Sequence, residues 1–377
     1  MTRLIGWVMA SLWLPLALLL ALAVVLGQAL PYAGEIRYLL EGDGGLTTPY
    51  SLDVQRGLAF QWRAPLQVFT IDWSPDSQYL VTTAPNGSYV MDLRGGTPRR
   101  LYRERVYPVW SPDGSRLAFE GFVDLTLRLF TADGDGSAVL PFLPDDSADF
   151  RQPSFSPDAT RMAYVRNADL YVYRFSDGQT VRLTDTPDTV ELQPNWSPDG
   201  TRLAFLWHDN TQLDRLSVIE LPSLRRIDLT PDLASPVHSP LWSPDGTRLS
   251  FLMRELNDTL VFTVALADAV PQQVNGSYPP IMIGNAGWSA DGALLYIVWL
   301  EQDIRGGITI NNDALDADTG TLVQREQTPD NFPLLSPDER YSAYLDAAGI
   351  CVQERATQAQ RCFPVVGGTP LNLRWLP

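Results

Sequence analysis

The groups from which chemistry could be assembled in this 377-residue chain are few: two histidines, two cysteines and 44 acidic residues. His208 stands in Trp207-His-Asp-Asn210 and His238 in Ser235-Pro-Val-His-Ser239. With Asp209 they have the residue types of an acid–base or metal site. A closed metal site needs three or four protein ligands, so two imidazoles also read simply as solvated loop histidines. Asp133-Gly-Asp135-Gly-Ser137 is spaced like the start of a calcium loop but lacks the later Gly and the closing Glu, and reads as a hairpin turn. Asp313, Asp316 and Asp318 before Thr319-Gly320 read the same way. Gly287-Trp-Ser289-Ala-Asp-Gly292 has the wrong spacing for a nucleophile elbow. All 28 basic residues are Arg, so a Schiff-base lysine, a phosphate-loop lysine and a Ser–Lys dyad are excluded. A net charge of −16 repels nucleic-acid phosphate. The expectation is no enzyme, no cofactor, no metal and no nucleic acid.

The elements that carry these groups are announced by a repeat. It reads Trp73-Ser-Pro-Asp-Ser, Trp110-Ser-Pro-Asp-Gly, Phe155-Ser-Pro-Asp-Ala, Trp196-Ser-Pro-Asp-Gly, Trp242-Ser-Pro-Asp-Gly, Trp288-Ser-Ala-Asp-Gly and Leu335-Ser-Pro-Asp-Glu. The intervals of 37, 45, 41, 46, 46 and 47 residues are too even for chance. Pro presets the second position of a β-turn, Asp suits the third, and Gly accepts positive φ where the next strand starts. The aromatic closes one strand and brings a large apolar face. A strand alternating large and small follows, as in Arg116-Leu-Ala-Phe119 and Arg202-Leu-Ala-Phe205. Two more strand-like pieces complete each unit, for example Leu170–Phe175 and Thr180–Leu183. Units of about four strands and ~40–45 residues indicate an all-β propeller. Three strand-like pieces precede Trp73, and Leu373-Arg-Trp375 copies the motif 40 residues after Leu335. The C-terminal strand is therefore expected to complete the N-terminal blade and remove its exposed edge. That makes eight blades over residues 34–377; seven is the alternative if the first three strands are not a blade.

The Ser-Pro-Asp-Gly repeat resembles the WD40-like PD40 repeat of TolB-type propellers, and is similar to the propeller of prolyl-oligopeptidase and dipeptidyl-peptidase relatives. The Gly-His and Trp-Asp marks of true WD40 repeats are missing. The hydrolase domain of the peptidases has no residues left to form it. The resemblance implies an envelope scaffold for protein interactions rather than one particular function.

Residues Leu4 to Leu26 carry no charge. As a helix they would extend roughly 34 Å, enough to span a hydrocarbon core. Residues 1–33 are expected to be a signal anchor, with Arg3 keeping the N-terminus cytoplasmic. The alternative is a signal peptide cleaved near Gly27-Gln28-Ala29. Either puts the propeller outside the bacterial cytoplasmic membrane, periplasmic or extracellular, tethered or secreted. Export makes a disulfide plausible, and Cys351 and Cys362 lie on two strand-like segments that a tight turn would set opposite each other.

The crossings between blades share one face with the loops that follow each second strand. The candidate binding face comprises Asp145, Asp149, Asp185, Asp188, Glu191, His208, Asp209, His238, Arg254 and Arg305. Its mixed charge suits a protein partner, such as a membrane complex of which this chain is an accessory subunit. The alternative is a small ligand or short peptide in the axial channel, and a more distant one a metal-assisted hydrolase or lyase using the histidines.

Overall fold

The computed structural model describes residues 34–376, with breaks at 42–45, 62–65, 68–69, 85, 94–96, 125, 144–147, 212, 232, 256–257, 279–282, 303–307, 329–333, 337, 347–348 and 366–368. The expected membrane or signal helix of residues 1–33 lies outside the described residues. Among those described, no helix is long and apolar enough to cross a membrane.

The fold is an all-β, eight-bladed propeller: eight antiparallel sheets, each a path of four strands. Eight, not seven, follows because the first three strands do form a blade. The chain divides into two compact units, one of Val68–Phe332 and one of Met1–Gln67 with Pro333–Pro377.

In the unit made from both chain ends, blade 1 combines Leu58–Gln61, Leu46–Asp53, Glu35–Glu41 and the C-terminal strand Thr369–Leu376. Ile36 is opposite Trp375 and Arg37 opposite Arg374. The tail thus covers the edge that Glu35–Glu41 would otherwise leave open to association. Blade 8 (Leu334–Leu335, Tyr341–Asp346, Gly349–Glu354, Gln360–Phe363) packs with it around Ile36, Tyr38, Leu52, Tyr341, Ile350 and Trp375. Cys351 and Cys362 are register partners on its two outer strands and form a disulfide.

The other unit holds blades 2 to 7. Blade 2 is Thr70–Trp73, Tyr79–Ala84, Gly87–Asp92 and Arg99–Tyr102; blade 3 is Val109–Trp110, Arg116–Val123, Thr126–Asp133 and Leu140–Pro141. Blade 4 is Phe150–Phe155, Arg161–Arg166, Asp169–Arg174 and Thr180–Arg182; blade 5 is Val190–Trp196, Arg202–His208, Arg215–Glu220 and Arg225–Asp228. Blade 6 is Val237–Trp242, Arg248–Arg254, Thr259–Ala265 and Pro271–Tyr278; blade 7 is Ile283–Trp288, Leu294–Gln302, Ile308–Asp316 and Leu322–Thr328. The second strands are the most buried, with Leu117, Ala118 and Phe119 wholly enclosed, like Leu203, Ala204 and Phe205.

The repeated turn is a closed hydrogen-bond circuit. In blade 6 the buried Ser243 hydroxyl donates to Asp245 Oδ1 (2.6 Å) and accepts from the Arg248 N–H (2.9 Å). The Asp245 carboxylate accepts from the Thr247 N–H, and Gly246 takes φ +69°. The same Ser–Asp bond recurs at Ser74, Ser111, Ser156, Ser197, Ser289 and Ser336. These side chains satisfy backbone groups that the tight turn would otherwise leave without partners.

The same motif joins neighbouring blades. Trp196, Trp242 and Trp288 donate their indole N–H to the carbonyls of Ser154, Asn195 and Leu241 on the preceding blade. Arg161 and Arg248 reach forward to the carbonyls of Gly200 and Gly292, stacking on Trp196 and Trp288. Each arginine therefore ties two blades through a hydrogen bond and a cation–π contact.

Candidate functional site

The acidic and histidine residues named from the sequence do not gather into one constellation. Asp145 and Arg305 lie outside the described residues. Asp149 pairs with Arg151 (2.7 Å), and Asp185 with Arg182 (2.7 Å), while Asp188 is exposed. Asp209 binds Thr211 and Arg215, and the Thr211 hydroxyl and N–H, chiefly, hold its carboxyl down to about 2. Arg254 is exposed.

Glu191 does not belong to an exposed binding face. It is fully buried, and its carboxylate accepts from the hydroxyls of Thr184, Thr186 and Thr189. It braces the crossing between blades 4 and 5 from inside and offers no surface to a partner. Asp313 is likewise not a turn residue. It lies within a strand of blade 7, 1% exposed, in a bidentate pair with Arg325 (2.6 and 2.7 Å), and accepts from the Trp299 indole. Asp316 and its Thr319 do form the turn, as do Asp133, Asp135 and Ser137.

The histidines serve separate local roles. His208 Nδ1 meets the Asp209 carbonyl (3.2 Å), and His238 Nδ1 meets the Ser239 hydroxyl (3.2 Å). Burial and the Arg254 guanidinium lower the His238 pKa, with Asp214 opposing. Among the described residues no group of three or more His, Cys, Asp or Glu is arranged to hold a metal ion.

What the strands do bring together is a set of neutral polar side chains. The first strands of blades 4, 5 and 6 each carry a bulge, between Arg151 and Ser154, between Leu192 and Asn195, and between His238 and Leu241. In each, one non-glycine residue takes a positive φ immediately before a proline: Gln152 (54°), Gln193 (50°) and Ser239 (54°). Such conformations are uncommon and persist only where the surroundings hold them. Here the surroundings are hydrogen bonds from blade to blade. Gln152 N donates to Glu120 Oε1 (2.6 Å), Gln193 N to Gln152 Oε1 (2.7 Å), and Asn195 Nδ2 to the Pro240 carbonyl (3.1 Å). The three bulges line one cavity of about 360 Å³, together with Pro153, Pro194 and Asn195. The Gln193 side-chain amide makes no hydrogen bond within the described residues, so it remains available to a ligand.

The sequence carried a sign of this cavity that residue chemistry alone did not raise. Gln152, Gln193 and Ser239 occupy the same repeat position, three before the aromatic of the turn, each followed by Pro. A neutral amide suggests no reaction, and a bulge cannot be read from alternation.

With the fold and this geometry in place, comparison with known proteins decides the family. The family model PD40, TolB beta propeller domain, matches residues 122–352. The chain belongs to this family. PD40 propellers are characteristically non-catalytic adaptor domains. Among solved structures it is similar to dihydro-heme d1 dehydrogenase NirN in complex with DHE, at 17% identity and TM-score 0.63, covering 92% of this chain and 76% of that one. It is similar to an oligogalacturonate lyase in complex with manganese, at 15% identity and TM-score 0.51, over 74% of this chain and 88% of the other. TolB from Acinetobacter baumannii matches at 19% identity and TM-score 0.42, over 64% of this chain; the PD40 chain spans 63% of that TolB. At such identities the likenesses to the dehydrogenase and the lyase speak for the fold alone. Comparison with curated proteins finds no match.

Proposed function

We propose that this PD40 propeller is an exported, non-catalytic binding protein that takes a short peptide, free or presented by a partner protein, in the cavity between the first strands of blades 4, 5 and 6. The observation that carries this reading is the repeated placement of Gln152, Gln193 and Ser239 at equivalent positive-φ bulges around one cavity of about 360 Å³. Amides and hydroxyls donate and accept without fixed charge, which matches the alternating groups of a peptide backbone. The lack of a fixed charge gives little to stabilise a developing ion, which weighs against catalysis there. Solved propellers that hold small groups support a binding role at the level of fold only. The apolar run Leu4–Leu26 supports an outer-face location, as a tethered or a released protein.

Thermal-shift screening with pools of blocked neutral tetrapeptides tests the reading. At least one pool is expected to raise the unfolding midpoint of the wild type, and Gln193→Ala to lose most of that shift while keeping its own midpoint. No shift with any pool, or equal shifts in the variant, would contradict it. Resistance of the full-length protein to alkaline extraction from membranes distinguishes a tether from a cleaved signal.

A further inference from the structure

Blade 3 differs from its neighbours in one respect. Its second strand runs eight residues, Arg116–Val123, but its first strand has only two, Val109–Trp110. The ladder between them pairs only Leu117 with Trp110 and Ala118 with Val109. In blades 4 and 5 the first strand continues past its bulge, so that Arg151 still meets Val165 and Leu192 still meets Leu206. In blade 3 the corresponding segment is drawn towards blade 2. The Val106 N–H donates to Ser88 Oγ, and Ser88 Oγ donates to the Glu104 carbonyl. Gly87 admits this, because a side chain there would meet the Tyr102 carbonyl. The strand edge from Glu120 to Val123 is left without a ladder partner on that side, and only the Phe122 carbonyl is bound, by Tyr102 Oη and Arg103.

A cavity of about 380 Å³ lies where the missing strand would run, lined by residues including Tyr107, Val109, Glu120, Phe122 and Leu127. Three large apolar side chains of the lining are exposed: Tyr107 (68%), Val109 (39%) and Phe122 (49%). Charge at the strip is mixed, with Glu104, Arg105 and Glu120 all in the lining. Glu120 and Asp124 form no ion pair among the described residues, whereas Arg103 pairs with Glu104.

We propose that this edge accepts an extended aliphatic peptide segment bearing one Lys or Arg, which adds as a strand against Glu120–Val123. The unpaired N–H and C=O groups supply main-chain hydrogen bonds, alternate side chains of the peptide cover Tyr107, Val109 and Phe122, and its cation meets Glu120. At ~3.3 Å per residue the free edge spans about three to four peptide residues. Gln152 and Pro153 line both cavities, but the strand edge Glu120–Val123 lies outside the one formed by Gln152, Gln193 and Ser239.

The probe is the amide Val-Ser-Lys-Ser-Val, whose valines and lysine share one face as a strand, carrying fluorescein on its N-terminus through a glycine and followed by fluorescence polarisation on the whole protein. Saturable binding is expected. N-methylation of the peptide at the lysine is expected to weaken it at least about tenfold, because the strand donor opposite Glu120 is removed. Glu120→Gln is expected to weaken the lysine peptide about tenfold and a norleucine analogue far less. Phe122→Ser, an exposed position, is expected to weaken both without moving the unfolding midpoint. Absence of binding at millimolar peptide would overturn the proposal, and so would an N-methyl peptide that binds equally. Binding lost in Gln193→Ala but kept in Phe122→Ser would assign the peptide to the other cavity and also overturn it.

Discussion

At the scale of single residues the protein rests on a serine and an aspartate used seven times. Removing the hydroxyl in Ser243→Ala leaves the buried Arg248 N–H without its acceptor and the Asp245 carboxylate without its shortest donor. A loss of about 1–3 kcal/mol is expected, measured by urea unfolding. The same circuit sets an acid limit. The Ser243 hydroxyl, then the N–H and hydroxyl of Thr247, hold the Asp245 carboxyl down to about 2. Asp158, Asp291 and Asp338 are lowered first of all by their own serines. A carboxyl depressed in the folded state stabilises above its unfolded pKa of about 3.9, and that contribution is lost as pH falls towards 2. The unfolding midpoint is therefore expected to hold steady down to about pH 4 and then fall steeply, and Asp245→Asn to flatten part of that fall. A fourth turn position offers the reverse change. Glu339 occupies at φ +55° the place that Gly246 holds elsewhere, so Glu339→Gly is expected to stabilise by up to about 1 kcal/mol.

At the scale of the elements, the arginine that opens the second strand of blades 3 to 6 matters more than its charge. Arg161 donates to the Gly200 carbonyl (2.8 Å) while its guanidinium lies 4.6 Å from the centre of the Trp196 ring. Arg161→Ala is expected to cost about 1–2 kcal/mol in denaturant unfolding, and Arg161→Lys to recover little, since an ammonium cannot both stack and bond in one plane. The turns and strands were legible in the sequence because Ser-Pro-Asp-Gly and the Leu-Ala-Phe alternation act locally. The crossings were not. Glu191 looked like a surface acid in an acidic loop, but three threonines from that loop fold over it, and their spacing shows this only once the loop's path is known. Asp313 looked like a turn residue beside Asp316, yet its partner Arg325 comes from the next strand. The cavity between blades 4, 5 and 6 stayed hidden for a related reason: it depends on bulges, which arise from packing between blades rather than from alternation within one.

At the scale of the whole molecule, the propeller depends on how the chain ends meet. The count of motifs pointed to eight blades only if Trp375 belonged with the strands before Trp73, and Ile36 does stand opposite Trp375. Shortening the chain at residue 368 is expected to expose the edge of Glu35–Glu41, lowering the unfolding midpoint and promoting self-association seen by light scattering. The most direct measurement is a pair of cysteines placed at the register partners Arg37 and Arg374, with the product mapped by mass spectrometry after mild oxidation. An additional intramolecular disulfide between positions 37 and 374 is expected, formed beside the native Cys351–Cys362 link. Both new thiols remaining free in folded protein, or pairing only between molecules, would contradict the closure on which the eight-bladed propeller stands.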